Sequence, residues 1–207
     1  HALGSALASS SFLPQSLRKK GKDSWKTTDE LANDAAAVIR SVTDEPVIVA
    51  GHSMGGFVAV VLAHRHPELV SSLVLVDGGL PFAPAELATT QAALSAIRDR
   101  LETTFPDEAT YVGFFRDHPA FARDWTPEAE QYAAYDARPV DGGVRASASV
   151  EAVLADQADI LDGTALREAV AARRHPTTFL HAPRGFVDDP PGLYAPETVE
   201  AIARDYF

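Results

Sequence analysis

The sequence predicts an α/β fold: a mostly parallel sheet flanked by helices, with a helical segment inserted into it. Three observations carry that expectation. Val47-Ile48-Val49 and Leu73-Val74-Leu75-Val76 are short, uniformly apolar runs, the pattern of strands covered on both faces in a parallel sheet. Between them Met54 to Arg65 reads as a buried helix, so strand, helix and strand follow within about 30 residues, the length of a right-handed βαβ unit. From residue 80 to 175 the strand signal gives way to alanine-rich amphipathic stretches, and a strand-like run, Thr177-Thr178-Phe179-Leu180-His181, returns after Pro176.

Taken in order, Phe12-Leu13-Pro14 has the look of a strand end, and Arg18-Lys19-Lys20-Gly21-Lys22-Asp23 reads as a charged, solvated loop. Thr27 and Glu30 have capping-box spacing. Leu31, Ala35, Val38, Ile39 and Val42 then recur on one helical face. Pro46 opens the first strand, and His66-Pro67 stops the helix after it. The second strand ends at Asp77-Gly78-Gly79.

Within the insertion, helices are expected over residues 85–101, 107–117, 127–135, 150–161 and 166–174, with Thr126, Ser149 and Thr164 placed as N-caps. Aromatics gather there, at Phe105, Tyr111, Phe114, Phe115, Phe121, Trp125, Tyr132 and Tyr135. We read them as the insertion's own small core rather than a substrate-facing wall. Beyond the third strand, residues 182–194 form a Pro- and Gly-rich loop with Asp188 and Asp189, and Pro196-Glu197 opens a last helix. The organisation expected is 1–79 and 176–207 as parts of a core, with 80–175 inserted.

Composition narrows the function. The chain has 207 residues, 46% hydrophobic, a net charge of −11 and no cysteine. No run approaches the roughly 20 apolar residues of a membrane span. The negative field disfavours nucleic acid and anionic membranes as partners and suits a small-molecule substrate. Without cysteine there is neither a disulfide framework nor a thiolate metal site, and a cytoplasmic location is expected. Oligomeric state is left open.

Chemistry concentrates at Gly51-His52-Ser53-Met54-Gly55-Gly56. A serine hydroxyl becomes a nucleophile when a base takes its proton and preset donors receive the oxyanion. Gly-x-Ser-x-Gly between a buried strand and a helix puts the serine on a tight turn. It also aims the Met54 N–H at the developing oxyanion, with the helix dipole adding a favourable potential. The competing reading, a glycine-rich phosphate cradle, lacks the Lys of a P-loop and the glycine spacing of a dinucleotide site.

These residues resemble the nucleophile elbow of the α/β-hydrolase superfamily, in its lid-bearing branch. LVLVDGGLP, residues 73–81, resembles the strand after the elbow's helix, and the insertion occupies the lid position. Residues 182–189 and 192–194 resemble the acid-bearing loop of bacterial esterase-like hydrolases. The resemblance implies a serine hydrolase acting on an ester or related acyl bond, without cofactor or metal. Ser53 is then the nucleophile, the Met54 N–H an oxyanion donor, and Asp188 the triad acid. Asp189 and Asp77 are the other positions for the acid, and two solvated loop carboxylates remain the competing reading of Asp188 and Asp189. Serine at the elbow disfavours dehalogenase and epoxide-hydrolase branches, whereas carbon–carbon bond hydrolases and haloperoxidase-like members keep it.

The base is not evident. The superfamily order is Ser, acid, His, yet none of the seven histidines lies beyond His181. For each a surface or packing role is expected, and His64 and His66, two apart, face different ways and make no metal pair. Nor does anything before Arg18 match the loop that carries the second oxyanion donor. The expectation is therefore an internal piece of a longer hydrolase, lacking about three strands in front and one strand with a helix behind. A non-catalytic binding protein or inactive remnant on the same scaffold is the alternative.

Overall fold

A computed structural model describes residues 19–20, 24–25, 27–162, 164–172, 174–185 and 188–206. They form, in chain order, β1 (Lys19–Lys20), β2 (Ser24–Trp25), α1 (Thr28–Val42), β3 (Val47–His52), α2 (Met54–Arg65), a 3-10 turn (Pro67–Leu69) and β4 (Val70–Val76). Then follow α3 (Pro84–Glu102), α4 (Glu108–Arg116), α5 (Pro127–Asp136), β5 (Ala137–Val140), β6 (Gly143–Ala146), α6 (Val150–Asp162), α7 (Thr164–Ala171), β7 (Thr177–Leu180) and α8 (Pro196–Tyr206). The strand expected at Phe12-Leu13 lies outside the described residues. Within the stretch expected as a charged loop, Lys19–Lys20 is instead a short strand, antiparallel to β2 just after it.

The chain divides into two compact units, the first made of His1–Phe82, Leu154–His181 and Val199–Phe207, the second of Ala83–Val153 and Ala182–Thr198. These bounds differ from the sequence-based division at 80 and 175. Most of α6 and all of α7 group with the sheet, and the loop after β7 groups with the insertion.

In the first unit the sheet runs β3-β4-β7, all parallel, with Val49 beside Leu73 and Leu75 beside Phe179. The face bearing Val49, Leu73 and Leu75 is buried, and α2 packs on β3 and β4, with α1 and α7 against α2. Burial on both faces is not what is found among the described residues, for Ile48 on the opposite face is 53% exposed. A uniformly apolar run permits two-sided burial, but the docking of helices decides it, and the Ile48 side of β3 stays open.

The helix α1 starts as its sequence dictates: Thr27 Oγ1 accepts from the Glu30 N–H at 3.3 Å, and Glu30 Oε2 accepts from the Thr27 N–H at 3.0 Å. Its buried stripe, however, is Thr28, Leu31, Ala32, Ala36 and Ile39, while Val38 and Val42 face out, Val42 75% exposed. Two apolar stripes compete along this helix, and the one with the smaller side chains wins because Ala32 and Ala36 let α1 approach α2 closely. A polar fringe closes that contact: Arg65 holds Asp29 through two bonds of 2.9 and 3.0 Å, and Arg40 reaches Glu68 at 2.7 Å.

The second unit corrects the expectation of an all-helical insertion. β5 and β6 form an antiparallel hairpin around Asp141-Gly142, with Gly142 at φ 84°. Pro139 and a length of only four residues hid the strands, although Asp-Gly is itself a hairpin signal. Phe105 extends the ladder by exchanging two 2.8 Å bonds with Val144. Leu101, Phe105, Tyr111, Ala137 and Ala146 build the core here. The expected aromatic core therefore holds for Phe105 and Tyr111, but Phe114, Phe121, Tyr132 and Tyr135 are exposed. Tyr111, fully enclosed, accepts from Arg100 at 2.9 Å and donates to Asp136, whose other oxygen accepts from Ser147 Oγ at 2.6 Å. Burial, with the Asp136 contact second, pushes the Tyr111 hydroxyl far above its usual pKa, so it stays protonated.

Candidate active site

Ser53 lies between β3 and α2 with φ 50° and ψ −121°, a left-handed backbone that a residue with a Cβ seldom adopts. The surroundings enforce it. The Ser53 N–H donates to Val76 O at 2.8 Å, tying the turn to the end of the neighbouring strand, and Ser53 O accepts from the Gly56 N–H at 2.9 Å. Two glycines make the approach possible. A Cβ on Gly51 would sit 2.3 Å from Gly55 O, and a Cβ on Gly78 would sit 2.2 Å from Ser53 O. The elbow is thus a lock of two pieces, the Gly-x-Ser-x-Gly turn and the Asp77-Gly78-Gly79 exit of β4. Sequence reasoning used the first, and read the second as a strand end with a candidate acid at Asp77 but not as a contact on Ser53.

The hydroxyl of Ser53 has no hydrogen-bond partner among the described residues and, unlike a usual N-cap serine, does not cap α2. It is therefore open to a base. Met54 is the first residue of α2, where a backbone N–H has no partner within the helix. No acidic residue lies in that first turn to offset the positive end of the helix dipole, so an oxyanion near the Met54 N–H gains its full potential.

Asp77 belongs to the same unit as Ser53. It follows β4 directly, is half-buried, and takes a left-handed backbone of its own at φ 49°. Its N–H donates to Leu180 O at 2.8 Å, and the next residue is the glycine pressed on the Ser53 carbonyl. Ser53 and Asp77 consequently stand at the same, C-terminal, edge of adjacent parallel strands.

Asp188 belongs to the other unit. Its φ is 61° and its carboxylate is already engaged: Oδ1 accepts from Arg184 Nε at 2.7 Å and Oδ2 pairs with Arg123 Nη2 at 2.9 Å. Arg184 also donates to the Asp188 carbonyl. Asp189 is exposed, its carbonyl accepting from the Gly185 N–H at 2.8 Å. The two arginines were not foreseen. Arg184 sits in plain view four residues away, but nothing local marks Arg123.

His64 lies in the last turn of α2, and the other described histidines each have their own setting. His52 is exposed at the end of β3, and His66 is held by Asn33 at 2.7 Å. His118 sits between Phe114 and Phe121, His175 meets Pro67 O at 3.1 Å, and the His181 ring stacks on Phe179. None hydrogen-bonds Ser53. Among the described residues no cluster of His, Asp or Glu is arranged to hold a metal ion, and no helix is long and apolar enough to cross a membrane.

The profile of the alpha/beta hydrolase fold matches residues 8–192. Among curated proteins the chain is similar to 2-(acetamidomethylene)succinate hydrolase of Mesorhizobium japonicum, 32% identical over 126 residues, which are 60% of this chain and 43% of that protein. It is also similar to lipase LipV of Mycobacterium tuberculosis, 34% identical over 85 residues, 40% of this chain and 33% of the lipase. The matched part thus spans less than half the length of either relative. Among solved structures the esterase Rv0045c of M. tuberculosis superposes with a TM-score of 0.61 at 20% identity, covering 91% of this chain and 62% of the esterase. The thioesterase domain from the curacin biosynthetic pathway gives 0.59 at 23% identity, covering 85% and 62%.

Proposed function

The chain belongs to the alpha/beta hydrolase fold family, and on that premise we propose that it is a serine hydrolase which cleaves a carboxylic ester or related acyl bond of a small molecule through an acyl-enzyme on Ser53. One observation carries the reading: Ser53 is held in a strained left-handed backbone at the N-terminus of α2, its hydroxyl unbonded among the described residues and the Met54 N–H beside it. In the first step a base takes the Ser53 proton as Oγ bonds to the acyl carbon. The oxyanion is received by the Met54 N–H, and the base then protonates the leaving alcohol or amine. Water repeats the sequence to release the acid. The base is an imidazole by analogy with the family's order, and no described histidine is assigned to it.

For the acid that orients the imidazole, Asp77 and Asp188 are both proposals. In favour of Asp77 are its place in the same unit as Ser53 and its backbone tie to the strand edge. In favour of Asp188 is the likeness of its loop, but its two oxygens are bonded to guanidiniums. Asp77 is the stronger candidate. The relatives' names, a hydrolase of an acetamidomethylene succinate and a lipase, support acyl chemistry without choosing an acyl group. The cysteine-free, acidic composition supports a cytosolic protein with neither nucleic acid nor membrane as partner.

A fluorophosphonate probe tests the mechanism. Labelling at Ser53 that Ser53→Ala abolishes is expected. Asp77→Asn should slow labelling by about a hundredfold or more, as loss of a triad acid does, while Asp188→Asn should leave it within about threefold. The reverse pattern would move the acid to Asp188. A folded chain that takes no label at Ser53 would favour the second reading, a binding protein on this scaffold, for which the supporting observation is that no described histidine hydrogen-bonds Ser53.

A further inference from the structure

The first unit has a concavity of about 230 Å³ that is separate from the elbow. Its wall is apolar, formed by Val60, Ala63, Leu73 and Ala169. Its rim carries His64, Arg174 and His175. His64 lies ten residues after Met54 on the same helix, which at about 1.5 Å per residue puts the pocket roughly 15 Å along α2 from Ser53.

The charge around this pocket runs against that of the molecule. The chain carries 29 Asp and Glu against 18 Lys and Arg, yet no carboxylate lines the cavity, and all three ionisable side chains that do are basic. Other arginines among the described residues are committed to acids, Arg40 to Glu68, Arg65 to Asp29, Arg98 to Glu102 and Arg116 to Glu130. Arg174, by contrast, has no ion-pair or hydrogen-bond partner among the described residues, and neither has His64. The third rim residue is fixed, since His175 Nε2 donates to Pro67 O at 3.1 Å. An unpaired guanidinium at the mouth of an apolar hole is complementary to an anion with an apolar tail.

Size limits that tail. An engineered apolar cavity of about 150 Å³ holds benzene, so the present volume admits a six-carbon chain or a single ring with a short arm. We propose that this pocket binds a small apolar monocarboxylate, the tail among Ala63, Leu73 and Ala169 and the carboxylate on Arg174. The site is independent of the chemistry at Ser53, and its test is arranged to keep the two apart.

Hexanoate is the probe, with hexylamine as its charge-reversed counterpart, titrated into the 207-residue protein and followed by chemical-shift perturbation and thermal shift. Saturable hexanoate binding is expected, with shifts centred on Ala63 and Ala169 and no matching response to hexylamine. Arg174→Gln, a change at an exposed position, should weaken it about tenfold or more, and Ser53→Ala should leave it unchanged. Ala169→Leu, which fills the cavity, should abolish it. If that variant fails to fold, Arg174→Glu takes its place and should abolish binding by repulsion. Three results would overturn the proposal: no saturable binding, binding indifferent to both Arg174 variants, or binding lost in Ser53→Ala, which would move the ligand to the elbow.

Discussion

Around Ser53 backbone meets backbone: the close approaches are between Gly51 and Gly55 and between Gly78 and Ser53, and the ties are N–H to carbonyl bonds. Around Tyr111 the shape is held by functional groups of side chains, with Arg100, Asp136 and Ser147 converging on one enclosed hydroxyl and carboxylate. The first arrangement tolerates almost no added atom. The second depends on every polar group keeping its partner. A site that must hold a serine in a strained conformation uses the stiffer of the two.

Substitutions can break that contrast, and the largest effect is expected at Gly78. Gly78→Ala drives a methyl into the Ser53 carbonyl and should cost about 3 kcal/mol or more, read as a collapse of the thermal transition together with loss of probe labelling. If Gly78→Ala melts normally, the elbow is not locked by the β4 exit. Next comes Tyr111→Phe, which removes the hydroxyl bridging Arg100 and Asp136, leaves the two joined only by their 3.5 Å ion pair, and should cost roughly 1–3 kcal/mol in denaturant unfolding. Combined with Asp136→Asn it should show a coupling of at least about 0.5 kcal/mol, and strict additivity would mean that the network is incidental.

Thr27→Ala deletes the cap of α1 and should cost about 1 kcal/mol. Ser53→Gly sharpens the comparison from the other side: labelling is lost while stability rises by about 1 kcal/mol, because glycine accepts φ 50° without strain. Smallest of all is Arg123→Ala. Its side chain is 78% exposed, so removing the Asp188 pair should change stability by less than about 0.5 kcal/mol, an effect that shrinks further with salt.

What could be read from the sequence follows the same divide. The elbow was legible because backbone crowding leaves glycines at fixed, local spacing, and Gly51, Ser53 and Gly55 advertise a turn to anyone who knows its sterics. The capping box at Thr27 and Glu30 was legible for the same reason, its partners being three residues apart. The hairpin at 137–146 was hidden by its brevity and by Pro139. The stripe by which α1 packs was hidden because two apolar rows satisfied the period and only close packing distinguishes them. Least legible were Arg123 with Asp188 and Tyr111 with Asp136, contacts between distant residues that leave no periodic trace.

The Gly78 contact also bears on how such a gene would drift. On the mechanism proposed for Ser53, a duplicated copy released from that chemistry would leave the serine free to change, and a change to glycine would even be welcome. Gly78 would not be free, because any side chain there strikes the carbonyl of whatever residue occupies position 53. Two positions in contact thus answer to different selective pressures. Across a set of related sequences, the glycine should track survival of the fold and the serine survival of the reaction, so that a scaffold turned to other uses could be recognised by the one persisting without the other.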